Sequence, residues 1–484
     1  MTWWTRSWGR DTLGAHGPVA ALAVAALALL ASCAGSAPEA DPASYQGTLW
    51  AQRPSVGLAF DVAPDLHSVA GRESVVFTPD APTCELVFRA HPNDPTMAKT
   101  GSSLTVTSAT VNDQRVGAQV SPGGAPDGAP GTLISLPLSP CARAGEPVRA
   151  DLGFTDVLGA DADERVGYSP RTATAWFGSA FPLLSWVRGQ GWTRDPAVPL
   201  NGETAVSEEF RLADLSVTAP DGFQVAGVGA PGPVGPGQRP GTTVHRFGAD
   251  SVRDVAVSVG RYDLRERDVH GVRVHLAVPT AGVKADPARW EDELGSSIDT
   301  LSQHFGPFPY TDLWASITPG QSDGTEFPTA VQFGDTKQDD LPALVAHEVS
   351  HQWFYSLVGN NQAEDPWLDE SLACVGEAIA GGDADYYRGY QVPDQVAGHL
   401  GEPMSYWADH GGERRYNQGV YNQGAHTLLL ARDQVGADRF DAALRGYVRT
   451  NAHRVARPAD LVRAFAAYPD VVRRLREAGV AAQD

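Results

Sequence analysis

Histidines at positions 347 and 351 flank Glu348 in an H-E-x-x-H pattern, and Glu370 follows at the nineteenth position after His351. On a helix, side chains at i and i+4 project from one face, so both imidazoles can reach a single ion. A carboxylate from a second helix returning alongside would complete three protein ligands, leaving the fourth position of a tetrahedral zinc open to water or substrate. Glu348 lies beside that position, placed to take a proton from a water whose pKa the metal lowers to about 7. The five-residue pattern alone also occurs by chance on amphipathic helices, with its histidines merely at the surface or in the core. The run Trp367-Leu368-Asp369-Glu370-Ser371-Leu372-Ala373 at this spacing makes the assignment specific, and one zinc ion per chain is the expected cofactor.

The segment His347 to Phe354 followed by Trp367 to Ala373 resembles the aminopeptidase N family of gluzincin metallopeptidases, whose members carry H-E-x-x-H-x-W, eighteen intervening residues and Glu within W-L-x-E-G-x-A. Ser371 stands where that family has Gly. The resemblance implies peptide-bond hydrolysis with His347, His351 and Glu370 as metal ligands and Glu348 as catalytic base. It also implies a β-saddle first domain and a thermolysin-like second one. Asp323-Gly324-Thr325-Glu326-Phe327-Pro328 is similar to an altered form of the family's G-x-M-E-N strand, which makes Gly324 and Glu326 substrate-binding residues, with Glu326 holding the free α-amine. Val420-Tyr421-Asn422-Gln423-Gly424 resembles the family's Y-x-K-G run, so Tyr421 inherits the role of hydrogen-bonding the oxyanion, with Tyr416 as a rival. The second Gln or Glu that the family's first domain places near the amine pocket has no identifiable counterpart in the Thr172–Trp186 region. Glu377, two turns after Glu370 on the same helical face, is either a carboxylate orienting a ligand histidine or a solvated acid. Trp353 is expected in the core.

These groups require two kinds of scaffold. Residues 55–265 read as short strands such as Leu104–Val106, Leu133–Leu136, Val148–Phe154, Leu215–Ala219 and Val255–Val259, punctuated by Gly/Pro-rich loops at 122–131 and 230–241. The second domain, 266–484, reads as α-rich. After a strand over Val272–Val278, Trp290, Leu294, Ile298 and Leu301 lie on one stripe of a helix over 285–304, and from residue 340 onward helix signals dominate, with helices near 425–435, 438–451 and 458–478. Asp339, Asp340 and Pro342 mark the start of the His347 helix. The expected fold class is therefore α+β multidomain: an all-β saddle or sandwich followed by a mainly α-helical, thermolysin-like zinc peptidase domain.

The chain has 484 residues, 42% of them hydrophobic and 20% charged, enough for two cored domains. Its net charge of -21 argues against nucleic-acid binding, which rests on clustered Lys and Arg. Arg6 and Arg10 precede an uncharged run over 17–31 that is shorter than the roughly 20 residues of a spanning helix and suits a signal peptide. Leu30-Ala31-Ser32-Cys33 resembles a bacterial lipobox, which implies a signal peptide at 1–32, lipidation of Cys33, a tether at 33–54 and an exported, membrane-anchored location. Cys84 and Cys141 both lie in the strand-rich part of an exported chain and are expected to pair, leaving Cys374 as a buried free thiol. The expected partners are peptides and, through the anchor, a membrane. The leading reading is an aminopeptidase; the alternatives are a surface endopeptidase with an open cleft and a non-catalytic, lipid-anchored binding protein on a peptidase scaffold.

Overall fold

Alternating apolar and polar residues along Ser55–Val62 bury every second side chain, as a strand with one solvated face requires. In this computed structural model that strand pairs antiparallel with Ser68–Phe77 and parallel with Phe210–Pro220, at the centre of a nine-stranded sheet. Two four-stranded sheets pack with it around a core that includes Phe60, Phe77, Phe88, Phe154 and Phe177. The structure describes residues 41–45, 48–200 and 207–481; Cys33 and the expected signal segment lie outside them. No helix among the described residues is long and apolar enough to cross a membrane. Within the expected tether, Tyr45 is buried and its hydroxyl donates to the Pro307 carbonyl, so the docked chain already includes residue 45.

Cys84 and Cys141 form a disulfide, joining Thr83–Arg89 to Leu133–Ala142, which also pair as strands. The Gly/Pro-rich stretch after Ala230 adds two short strands, Ala230–Pro231 and Gly235–Pro236, to the edge at Thr242–Val252.

The second domain begins with a five-stranded sheet ordered Tyr262–Val269, Val272–Pro279, Asp312–Thr318, Ala330–Gly334, Gly324–Phe327. The first of these strands spans the expected junction at residue 265 and pairs within this sheet. Ala277, Trp314, Phe327 and Ala330 pack into the β-domain core, while Val274, Leu276, Leu313 and Val331 join the helical core. The four strands from Val272–Pro279 onward are thus covered on both faces, which explains their nearly continuous burial, while the edge strand Tyr262–Val269 stays largely exposed. The helix Pro287–Phe305 starts with Asp286 accepting a bond from the Ala288 amide and buries Trp290, Leu294, Ile298 and Leu301, the stripe its periodicity predicts. The expected final helix over 458–478 is instead two, Pro458–Ala464 and Pro469–Glu477. Pro469 lacks an amide proton and cannot continue a helix, though it starts one well.

Candidate active site

The helix Leu341–Ser350 begins after a short 3-10 turn with Pro342 in its first turn; Asp340 occupies the cap position, but its side chain makes no capping bond. His347 lies on this helix and His351 at its C-cap. The helix Trp367–Gly376 carries Glu370 in its first turn. His347 Nε2 lies 3.2 Å from both Glu370 Oε2 and His351 Nε2, and His351 Nε2 is 3.7 Å from Glu370 Oε2. Ligand atoms about 2.0–2.2 Å from a zinc at tetrahedral angles stand about 3.3–3.6 Å apart, so the three donors fit such an ion.

The outer nitrogens orient the rings. His351 Nδ1 donates to the Phe354 carbonyl, and His347 Nδ1 faces Glu377 Oε2 at 3.4 Å, leaving both Nε2 atoms to the triad. Tyr387 donates to the same Glu377 oxygen at 2.8 Å, so Glu377 is a buried orienting carboxylate. Cys374 is a buried free thiol, as expected, but its sulfur also lies 3.7 Å from His347 Nδ1. Trp353 is fully buried and donates to the Gly306 carbonyl.

Glu348 points into the cavity beside the triad. It is 5% exposed, and its Oε2 has no hydrogen-bond partner. Burial pushes its carboxyl well above the usual range; Glu326, Glu370 and Asp323 add to this while His347 opposes it. Burial and the neighbouring His347 push His351 well below its ordinary value, favouring the neutral form that binds a metal. Burial alone would lower His347, but Cys374, Glu370 and Glu377 outweigh it and push it up. A divalent cation at the triad would satisfy the same concentration of negative charge. Close approach is possible because Gly324, on the neighbouring edge strand, lacks a side chain: a Cβ there would sit 2.3–2.4 Å from Glu348 atoms.

Glu326 lies on that same edge strand, within ligand distance of Glu348 and His351. Gln362 donates to Glu326 Oε1 at 3.1 Å and to Asp369 Oδ2 at 2.9 Å, while Asp369 Oδ1 accepts from the Glu370 amide. The sequence contains no local sign of this polar link between the edge strand and the ligand helix. Tyr421 and Tyr416 both line the cavity. Tyr421 stacks on His347 with ring centroids 6.0 Å apart, whereas Tyr416 is buried and packs edge-on against Tyr421. Ser371 bonds the Val420 carbonyl and fills the space left by Gly424, where a Cβ would lie 1.9 Å from its oxygen. A serine in place of glycine therefore ties the ligand helix to the tyrosine segment.

The β domain supplies Asp163, Glu164 and Arg165 to the same cavity. Acid from the first domain is thus present, upstream of the Thr172–Trp186 region where the resemblance placed it. An acidic turn usually means a solvated loop, so the sequence did not single it out. Asp323 and Glu413 complete the acidic wall. Burial pushes Glu164, Asp323 and Glu413 each up to about 7, with neighbouring acids contributing.

Residues 331–477 match the peptidase family M1 domain. Aminopeptidase M1-B of Oryza sativa subsp. japonica is 25% identical over 234 residues, 43% of this chain and 26% of its own length. Aminopeptidase N of Haemonchus contortus is 28% identical over 145 residues, 27% of this chain and 15% of its own. The chain thus spans about a quarter or less of these relatives. Among solved structures, the M1 zinc metallopeptidase from Deinococcus radiodurans superposes with a TM-score of 0.64 at 18% identity, covering 91% of this chain and 98% of that one. A mutant of that enzyme bound to a Tyr-Ser-Ala substrate gives 0.62 at 18% identity, covering 91% and 97%. The resemblance seen in the motifs therefore extends to both comparisons: residues 331–477 match the peptidase family M1 domain, and the fold is similar to that of a two-domain M1 zinc metallopeptidase.

Proposed function

We propose that this protein is a zinc metallopeptidase that releases N-terminal residues from peptides. The observation that carries the reading is the convergence of donor atoms from His347, His351 and Glu370 beside the unpartnered Oε2 of Glu348. When bound there, zinc supplies a Lewis acid for the scissile carbonyl and acidifies the attacking water. Glu348 accepts that water's proton and delivers it to the departing amine. Tyr421 donates a hydrogen bond to the carbonyl oxygen as negative charge develops on it. Glu326, held by Gln362, pairs with the free α-amine of the substrate and limits cleavage to the first residue. The aminopeptidase names of the relatives support this part of the reading.

The Leu30-Ala31-Ser32-Cys33 run supports export and anchoring through Cys33, with peptides met at the outer face of a membrane.

The test is zinc content together with Glu348→Gln. The variant should retain one zinc while kcat falls by about 10²–10⁴; undiminished hydrolysis by the zinc-loaded variant would overturn the mechanism. A wild-type protein that binds no zinc would leave the binding-protein alternative standing. Equal cleavage of free and N-acetylated peptides would remove the amine-holding role of Glu326 and make the enzyme an endopeptidase.

A further inference from the structure

Three of the cavity's acids come from three separate parts of the chain. Asp163 lies in a β-domain loop, where it accepts bonds from the Ser322 amide and hydroxyl at 2.7 and 2.9 Å. Asp323 immediately precedes the Gly324–Phe327 strand. Glu413 lies on the short Gly412–Tyr416 helix. All three are partly exposed, whereas the metal triad and Glu348 are buried, so the acids form the outer wall of the cavity and the triad its floor. Elsewhere on the surface, Asp and Glu are repeatedly paired with Arg. Among the described residues no ion pair is found for Asp163, Asp323 or Glu413. The cavity's one guanidinium, Arg165, is directed to the Ser179 hydroxyl.

One further side chain shows that the wall belongs to a built site: Glu348 Oε2 is buried, lines the same cavity and has no hydrogen-bond partner, whereas the Arg165 guanidinium is turned toward Ser179 and the Phe327 ring. One zinc would offset the charge at the floor and a substrate α-amine would engage Glu326, but the outer acids would remain uncompensated. Like charges held together in a partly desolvated cleft focus a negative potential and attract an opposite charge of matching reach. Lys and Arg side chains combine a long apolar stem with a terminal cation and can span from floor to rim.

We infer that Asp163, Asp323 and Glu413 form a subsite for a cationic side chain, and that the substrates are basic peptides bearing Arg or Lys beside the cleaved bond. This rests on the peptidase reading above and specifies its substrate class.

The experiment compares peptides matched except for Arg against citrulline, which keeps the shape but replaces the guanidinium with a neutral ureido group, placed at the first or the second residue. With zinc-loaded wild type at pH 8, above the value of about 7 to which burial raises Asp323 and Glu413, kcat/KM should favour Arg at one of these positions by about tenfold or more, and added NaCl should shrink the preference. In Asp323→Asn with Glu413→Gln the preference should fall to about twofold or less. Calorimetric titration of the same pair into zinc-loaded Glu348→Gln protein reads the preference without turnover. Equal kcat/KM and equal binding of the two peptides would overturn the inference while leaving the peptidase reading intact. So would a preference that persists in a folded double variant, or one that salt does not change if that variant fails to fold. Absence of hydrolysis with both peptides, with Arg still bound more tightly, would instead overturn the peptidase reading and keep the subsite.

Discussion

At the scale of single residues, Glu348 and Gly324 show why the metal motif is a partial description of the site. Glu348, the proposed base, is buried and yet keeps an oxygen without a hydrogen-bond partner, and a backbone strand with no side chain at residue 324 allows it to sit there. Gly324 therefore makes room for Glu348, in addition to the substrate contact that the resemblance implies. Gly324→Ala should force Glu348 aside, and displacement of a reacting group by about 1 Å can cost 10²-fold. The expected outcome is a kcat lowered by about that factor with zinc content unchanged. A change confined to KM would restore substrate contact as its main role. His347, Glu348, His351 and Glu370 were legible in the sequence because helical periodicity links their spacing to direction. Asp163, Glu164 and Glu413 were not, because an acid's partners or lack of them depend on distant chain segments.

At the scale of elements, two π-helical turns flank the candidate metal site, Glu377–Gly381 after the helix carrying Glu370 and Asn417–Asn422 before the helix Gln423–Val435. A π turn inserts one residue into an α-helix and rotates the side chains beyond it, a feature frequent at functional sites. Here the first begins with Glu377, aimed at His347, and the second contains Tyr421, stacked on the same ring. Sequence periodicity predicted α-helix nearby but could not place the extra residue, since the widened hydrogen-bond register has no residue-type signature. Tyr421→Phe keeps the stacked ring and removes only the donor. It should lower kcat by about 10²–10³ with little change in KM, the pattern expected when an interaction is made only in the transition state. A rise in KM at constant kcat would instead place the hydroxyl in ground-state binding. The same measurement on Tyr416→Phe should show a much smaller loss, because Tyr416 is buried behind Tyr421.

At the scale of the whole molecule, the cleft exists only while the two domains are locked together. Arg253 of the β domain donates to the Ser356 carbonyl at 3.1 Å and is packed so closely on Gly359 that a Cβ there would meet it at 2.4 Å. Glu209 accepts from the Trp50 amide at 2.8 Å and the Ser251 hydroxyl at 2.6 Å, and meets His453 Nδ1 of the helical domain at 2.7 Å. Burial would raise the Glu209 carboxyl, but His453, Ser251 and Trp50 outweigh it and hold it below its ordinary value of 4.5. A depressed folded value means that the unfolded chain binds the proton more readily. The clamp's contribution is therefore present above about pH 4.5 and is lost as pH falls through the folded value. Glu209→Gln should lower the melting temperature at pH 7 and flatten its fall as pH drops below about 4.5; an unchanged acid slope there would show that the clamp does not couple to protonation. By itself the sequence picked out the candidate metal triad and the residue proposed as base, and gave the β-then-α order of domains and most strand and helix cores, because local periodicity and spacing carry that information. Only the tertiary structure decided that the β domain forms one wall of the cleft, that Gln362 links the edge strand to the ligand helix, and that acids from three separate segments face one another. Each of these depends on residues far apart in the chain, whose approach is fixed by packing between the five-stranded sheet and both domain cores.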